Sequence, residues 1–495
     1  MNIVKAIELI KPLKTTNFSK DFSENLEITK VTQDTREVEP GSLFVCIVGS
    51  VQDGHELAKE AVQKGATLIV ASEPIEVAVP VIYVNDTMKA MAILAATFYH
   101  HPSQDLRVIG VTGTNGKTTV THLLDYIFHD HKEKTGVIGT MYRRIGSKVY
   151  ETKNTTPDSI TLQKTLREMQ DSGVATCSME VSSHSLVQGR VWGTDFDIAI
   201  FTNLSQDHLE YHHTMEKYAE AKSLLFSQLG NGYQQDKPKF AILNFDDPVG
   251  RSFEEKTAAR VFSYGIDQPA DFKATDLSIT NRGTRFNLNF ENRVYEVQLQ
   301  LVGKFNVSNA LAAIAGAYAA GLDLTSVIQS IEKISGVRGR FEIVKGDHDF
   351  AVIVDYAHTP DGLLNVLNAV NEIKTGTVFC VVGCGGDRDR TKRPIMAEIA
   401  QQNSDTVIFT SDNPRTEDPI AILHEVVDGL EEGTYQLIPD RREAIQAAIE
   451  QANTNDIVLI AGKGHEDYQI IGTEKIHFDD VEEAKRAIDL KKNNK

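Results

Sequence analysis

Residues 112–118 read Thr-Gly-Thr-Asn-Gly-Lys-Thr, set between an apolar run at 106–111 and a helical pattern at 117–128. Strand, glycine loop and helix in that order make a seat for a nucleoside triphosphate. Glycines let backbone N–H groups approach phosphate oxygens, the helix presents its positive N-terminal end, Lys117 adds a point charge, and the Thr118 hydroxyl can ligate magnesium. The spacing departs from GxxxxGK[ST] at one place: the pattern asks for glycine at 111, where the chain has Val111 between Gly110 and Gly113. The flanking elements carry the reading, and phosphate contacts are expected from Thr112, Gly113, Thr114, Asn115, Gly116, Lys117 and Thr118.

Outward from this loop the chain runs to 495 residues, more than one hydrophobic core usually serves, so several domains are expected and three fit best. Hydrophobic content of 41% and charged content of 24% describe an ordinary globular protein. A net charge of −18 with no Lys/Arg-rich stripe argues against a nucleic-acid partner. No basic leader with an apolar core and no run near 18 apolar residues is present, so a cytoplasmic protein without membrane insertion is expected. Cys46, Cys177, Cys380 and Cys384 are too few and scattered for a disulfide framework; Cys380 and Cys384 flank a strand pattern and read as buried thiols rather than metal ligands.

Residues 1–102 show short strand patterns at 42–48 and 66–71 between helical stretches, an expected small α/β domain. A central domain is expected over 103–335, with strands at 176–181 and 197–203, helices at 160–171 and 216–229, a polar β-rich stretch at 270–302 and an alanine-rich helix at 306–321. The Ser-Gly-Val-Arg-Gly-Arg segment within 334–340 reads as a hinge into a third domain, 336–495. There four apolar runs, 351–354, 377–382, 406–409 and 456–460, stop at Asp-Tyr-Ala-His, Gly-Cys-Gly-Gly-Asp-Arg, Ser-Asp-Asn-Pro-Arg and Gly-Lys-Gly-His-Glu. Strands alternating with helices imply a parallel sheet, with ligands beyond the carboxyl ends of its strands.

Several side chains point to chemistry. Glu180, at a strand end in the domain of the glycine loop, suits Mg²⁺, which takes oxygen ligands. Asp207-His208 and His212-His213 follow the next strand; without an HExxH spacing they do not read as zinc ligands, and magnesium suits His208 better. The Asn154-Thr155-Thr156-Pro157 loop offers neutral donors and acceptors, and Gln188 and Arg190 add an amide and a cation. Asn306 and Asn309 stand three apart at a helix start, where either caps the helix or reads a base. Arg388, Arg415 and Glu466 come from three strand ends; two guanidinium groups beside an acid suit a ligand with carboxylates and an ammonium group, with structural salt bridges as the alternative.

TGTNGKT, NTTP, MEVSSH, DHLEYH, YAEAKSLLF, GKFNVSNALAA, GVRGRFE, DYAHTPD, GCGGDRDR, DNPR and GKGHE stand in one chain in this order. Together, over about 30–480, they resemble the Mur ligases, in particular members that add the third residue of the peptide on UDP-N-acetylmuramoyl-L-alanyl-D-glutamate. The resemblance implies an α/β, three-domain architecture with a central P-loop ATPase-type domain and a C-terminal Rossmann-like domain. It implies phosphorylation of the D-glutamate γ-carboxylate by ATP to an acyl phosphate, which the incoming amine attacks. Lys117 would stabilise the transferred phosphoryl group, while Thr118, Glu180 and His208 would help place Mg²⁺. Lys222, otherwise an unremarkable helix lysine, resembles the family's carbamylated lysine, whose carbamate faces the second magnesium.

By the same resemblance Thr155, Thr156, Ser182, Gln188 and Arg190 match positions that hold the muramoyl dipeptide. Thr35 matches a uridine-side contact where relatives carry serine. Asn309, Arg340 and Asp355 match nucleotide contacts, some supplied when the third domain closes and excludes water from the acyl phosphate. Asp412, Asn413, Pro414 and Arg415 resemble the form of the family that adds meso-2,6-diaminopimelate, with Arg388, Gly462 and Glu466 as further contacts. Lysine has no distal carboxylate, so a lysine-adding enzyme would leave a buried arginine unpaired. A GTPase would need an NKxD motif, which 203–207 lacks, and a folylpolyglutamate synthase would leave the N-terminal domain and DNPR unexplained. A non-catalytic nucleotide-binding scaffold would have no use for Lys117, Glu180 and Lys222 together.

Overall fold

The computed structural model describes residues 3–493 apart from 16, 21–22, 24, 50–51, 232–236, 281, 347 and 432. Its centre is an eleven-stranded sheet built around Arg107–Thr112, which lies between Thr176–Glu180 and Ile198–Phe201. From Thr135–Ile138 to Phe272–Thr280 the neighbours are parallel. Val108 turns to one apolar layer while Ile109 and Val111 turn to the other, the period-two alternation of a sheet covered on both faces.

Gly110 belongs to the strand, where an added Cβ would lie 2.8 Å from the Phe196 ring. It serves packing, and Gly113 is the glycine of the loop. The β-rich 270–302 stretch forms Phe272–Thr280, Gly283–Phe290 and Arg293–Leu299, an antiparallel run that extends the same central sheet. The alanine-rich helix, Lys304–Ala319, is buried almost all round because its small side chains let neighbouring elements approach closely.

The N-terminal part carries four parallel strands, Lys30–Thr32, Ser42–Val45, Ala66–Ala71 and Val81–Tyr83. The C-terminal part carries a six-stranded sheet in the order Glu342–Ile343, Ala351–Asp355, Ile457–Ala461, Val378–Cys384, Thr406–Ser411, Gln436–Leu437, parallel except at its first edge. The four expected strands form its middle, and the two short edge strands carry too few apolar residues to register as a pattern. Cys380 and Cys384 lie within Val378–Cys384, not outside it, and all four cysteines are buried and free. Among the described residues no helix is long and apolar enough to cross a membrane.

Candidate active site

The loop after Arg107–Thr112 is fixed from the side by the next strand's end. Thr114 N–H donates to the Asn203 carbonyl (2.8 Å), Asn115 N–H to Asn203 Oδ1 (2.9 Å), and Thr202 Oγ1 to the Asn115 carbonyl (2.6 Å). Gly116 sits at φ +85°, and an added Cβ would strike Asn309 Oδ1. Asn309 therefore faces the loop from Lys304–Ala319, and its Nδ2 donates to Asn306 Oδ1 at 3.4 Å. Asn306 is not a cap, since Gly303 holds the N-cap position and Asn306 Nδ2 donates to the Val302 carbonyl (2.9 Å).

Lys117 spans the loop, donating to the carbonyls of Gly113 (2.9 Å) and Thr114 (2.8 Å). Lys222, almost fully buried in the helix Met215–Ser227, donates to the same Gly113 carbonyl (2.7 Å). Desolvation lowers both amines, and for Lys222 the neighbouring Lys117 charge adds to it, holding that amine well below the ordinary lysine range.

Glu180, the last residue of Thr176–Glu180, is buried and surrounded by hydroxyls. Its Oε2 accepts from Thr118 Oγ1 (3.1 Å) and Thr140 Oγ1 (3.0 Å), its Oε1 from Thr140 N–H (2.9 Å). Thr140 also touches Thr155 Oγ1 at 3.1 Å. Thr156 Oγ1 donates to the Glu180 carbonyl (2.9 Å) and accepts from Ser182 N–H (3.0 Å). Arg190 donates to the Thr156 carbonyl (3.1 Å) and to Gln188 Oε1 (2.8 Å), so the whole group of hydroxyl, amide and cation expected around the dipeptide is gathered on one rim.

Among the described residues, His208 makes no hydrogen bond to Glu180 or to the hydroxyls around it. It is half exposed at φ +53°, close to Asp207 and Glu210, with its ring 4.8 Å from His184 and 6.3 Å from Tyr218. Tyr218 in turn covers the Lys222 amine, 4.4 Å from its ring. Thr35 is buried in the turn Thr35–Glu37 and, among the described residues, makes no hydrogen bond to these groups. Its neighbour Asp34 is held down to about 2 chiefly by the hydrogen bond from the Arg36 side chain.

Among the described residues, two side chains of the C-terminal part, Arg340 and Asp361, hydrogen-bond to the loop. Arg340 Nη2 donates to Thr118 Oγ1 (3.0 Å), while its Nε is buried without a partner among the described residues and its guanidinium lies 4.6 Å over the Tyr356 ring. Asp361 Oδ2 accepts from Asn115 Nδ2 (2.6 Å) and Ser205 Oγ (2.7 Å). Asp355 Oδ2 accepts from Phe341 N–H (2.7 Å), which fixes the backbone next to Arg340; burial raises its carboxyl above the usual range.

Beyond the strand ends lies the second cluster. Asn413 Nδ2 donates to Glu466 Oε2 (2.9 Å), and Asn413 Oδ1 accepts from Ile470 N–H (2.9 Å). Gly462, at φ +119°, leaves room for Asp412, whose Oδ2 would be 2.9 Å from an added Cβ. Pro414 precedes Arg415, which adopts φ +52°, pairs by its backbone with 470–472, and points Nη1 at the Gly386 carbonyl (2.8 Å). Among the described residues, its Nη2 and Nε carry no hydrogen bond. Arg388 is exposed, donating to its neighbour's carbonyl (3.0 Å), and shares one side of Gly385 with Arg415. Between the two clusters runs a cleft of about 700 Å³, lined by His122, Thr140 and Tyr142 on one side and Arg338, His465 and Glu466 on the other.

Thr140, Asp361 and Lys463 were not singled out from the sequence. Asp361 and Lys463 lie inside the DYAHTPD and GKGHE stretches, so position in those stretches was a signal; Thr140 carries none, because its role depends on the pairing of Thr135–Ile138 with Thr176–Glu180.

A P-loop sheet joined to a parallel C-terminal sheet, with a lysine, a buried carboxylate and an arginine-bearing strand-end cluster between them, defines a nucleotide-dependent ligase class. The chain matches the Mur ligase family, catalytic domain over 27–99, the Mur ligase middle domain over 111–317, and the Mur ligase, glutamate ligase domain over 339–464. It is 55% identical over 489 residues to the UDP-N-acetylmuramoyl-L-alanyl-D-glutamate--2,6-diaminopimelate ligase of Lactiplantibacillus plantarum, covering 99% of each chain. It is 53% identical over 475 residues to the enzyme so named from Listeria monocytogenes serovar 1/2a, covering 96% of this chain and 97% of that one. A solved structure of a ligase with this name superposes with a TM-score of 0.71 at 36% identity, covering 99% of both chains. The chain belongs to the Mur ligase family.

Proposed function

We propose that this chain joins 2,6-diaminopimelate to UDP-N-acetylmuramoyl-L-alanyl-D-glutamate at the expense of ATP, a step of peptidoglycan precursor synthesis. Relatives carrying that activity in their names share half or more of its residues along nearly its whole length. Within the site, Arg415 is the observation that carries the choice of amino acid. Its guanidinium keeps two donor nitrogens open beside the Asn413–Glu466 pair, a combination suited to one carboxylate and one ammonium group. We read the domains as 1–102, 103–335 and 336–495, holding the uridine substrate, ATP and the amino acid respectively. The substrates are water-soluble nucleotides and an amino acid, which fits a cytoplasmic setting.

In this reading the γ-carboxylate oxygen of the D-glutamate attacks the terminal phosphorus of ATP and ADP departs. The amine nitrogen then attacks the acyl carbon, phosphate leaves and the nitrogen loses its proton, giving the amide. The loop N–H groups, Lys117 and Asn309 hold the nucleotide, and Lys117 meets the charge moving onto the phosphoryl oxygens. Thr155, Thr156, Ser182, Gln188 and Arg190 hold the dipeptide end, and Thr35 lies on the uridine side. Arg340 and Asp355 come from the C-terminal side of the closed cleft, which keeps water from the acyl phosphate.

The oxygen-rich surroundings of Glu180 fit magnesium, with Thr118 and Glu180 as residues that would hold one ion and His208, on the side of Tyr218 and Lys222, helping to place a second. Bound there, the ion would neutralise phosphate charge. A carbamate on Lys222 would add anionic oxygens at the second position, and burial favours the neutral amine that carbon dioxide requires.

The test is phosphate release by the purified protein with ATP, magnesium and UDP-N-acetylmuramoyl-L-alanyl-D-glutamate, with meso-diaminopimelate or L-lysine in parallel. Turnover with meso-diaminopimelate alone supports the reading. Turnover with lysine overturns the role given to Arg415, and no turnover with either overturns the activity.

A further inference from the structure

Lys463 is fully buried, which is unusual for a lysine that no substrate contact accounts for. Its ammonium donates to Glu466 Oε2 (3.1 Å) and to Asn413 Oδ1 (3.1 Å), and it lies 5.4 Å from the Tyr468 ring. Glu466 Oε2 thus receives two donors, Lys463 and Asn413 Nδ2, while among the described residues Oε1 receives none. Asn413 is held at both ends: its Oδ1 takes Lys463 and Ile470 N–H, which forces its Nδ2 towards Glu466. An amide that accepts two N–H donors at one end has no choice of orientation.

We propose that Lys463 is a positioning residue for amino-acid selection: it fixes one oxygen of Glu466, leaving the other presented to the ammonium group of the incoming diamino acid. This rests on the proposed function. The physical reason for a lysine here is charge. A buried cation behind the carboxylate offsets its charge from one side and holds it in place while leaving its front face open to a substrate cation. Lys463 comes from the loop after Ile457–Ala461 and Asn413 from the loop after Thr406–Ser411, so the triad also locks two strand ends to each other. Lys463 itself does not touch the amino acid.

The experiment is a double-mutant cycle on the full chain with Lys463→Met, Glu466→Gln and the pair, measuring kcat and the KM of each substrate. Methionine keeps the stem that fills the buried site. Losing a charged hydrogen bond to Glu466 is expected to raise the KM for meso-diaminopimelate about 10- to 100-fold in Lys463→Met. The KM values for ATP and for the UDP-linked substrate stay within about twofold, because their contacts lie elsewhere. The double variant is expected to fall well short of the product of the two single effects.

Multiplying single effects, an unchanged KM for the amino acid, or a rise in all three KM values would overturn the positioning role. If Lys463→Met does not fold, Glu466→Gln alone decides, since it removes the anion that Lys463 is proposed to serve. It must then raise the KM for meso-diaminopimelate and leave that for ATP in place, and failure to do so overturns the proposal. A wild-type chain that never turns over meso-diaminopimelate would instead remove the underlying reading, which separates the two failures.

Discussion

Lys117 and Lys222 direct their ammonium groups at one oxygen, the carbonyl of Gly113, from 2.9 and 2.7 Å. Two lysines from different helices therefore converge on the first glycine of the loop, and desolvation with the Lys117 charge added to it lowers the Lys222 amine. This arrangement is costly without a phosphate or a carbamate nearby, and that cost can be measured.

Lys222→Met is expected to abolish turnover yet stabilise the unliganded protein in carbon-dioxide-free buffer, by about 1–3 kcal/mol at neutral pH. The folded amine titrates below its unfolded value of 10.5. As pH rises through the folded value towards 10.5, the native chain sheds a proton that the unfolded chain keeps, so wild-type stability rises across that window. The gap between variant and wild type should therefore narrow with pH. Thermal unfolding from pH 6 to 10 checks it; a constant or widening gap would contradict the buried-amine argument.

Turnover by the wild type should depend on dissolved carbon dioxide. Activity is expected to fall after exhaustive removal of bicarbonate and to recover when it is returned, whereas Lys222→Arg, which cannot form the carbamate, should be inactive in both conditions. Indifference of the wild type to bicarbonate would rule out the modification.

Arg415→Ala is expected to raise the KM for meso-diaminopimelate about 100-fold or more, the scale of an unpaired buried charge partner, without a matching loss for ATP. Its backbone at φ +52° is already strained for any residue with a Cβ, so the substitution adds little strain of its own. Equal loss across all substrates would point to a collapsed loop instead.

Asp361→Ala removes the acceptor for Asn115 and Ser205, leaving Arg340 to Thr118 as the other hydrogen bond described between loop and C-terminal part. The unliganded chain should then expand, read as a larger radius of gyration by small-angle scattering. ATP consumption without amino acid should also rise as water reaches the acyl phosphate. An unchanged radius and unchanged coupling would deny Asp361 a role in closure.

Much of this was legible in the sequence because it is local. The glycine loop, the strand before it and the helix after it occupy consecutive residues, and Ala66–Ala71 matches its apolar run residue for residue. The four strand ends of the C-terminal sheet were legible for the same reason: each apolar run stops where a polar cluster begins. What could not be read depends on pairing across the chain. That the 270–302 stretch extends the central sheet follows from its hydrogen bonding to Arg260–Gly265, which no periodicity records. Thr140 at Glu180 and Asp361 at Asn115 join residues 40 and 246 positions apart. Gly110 shows the same limit on a smaller scale, since a glycine required by Phe196 looks the same in sequence as one required by a phosphate.

Asp480→Ala should cost about 3–5 kcal/mol in urea or thermal unfolding, the usual penalty for stranding one member of a buried ion pair. Its partner Arg441 is fully buried, takes both oxygens of Asp480 at 2.7 Å, and donates onward to the carbonyls of Ala461 (3.0 Å) and Ser411 (3.5 Å).

Those two carbonyls end the strands that lead into Asp412–Arg415 and Gly462–Glu466, and Asp480 opens the final helix, Asp480–Asn493. The order of synthesis then acquires a meaning. A growing chain can complete its glycine loop while most of the C-terminal sheet is still unmade, but the brace behind the amino-acid cluster closes only once Asp480 has emerged. The residues of the glycine loop are therefore all made before the brace behind the amino-acid cluster can form.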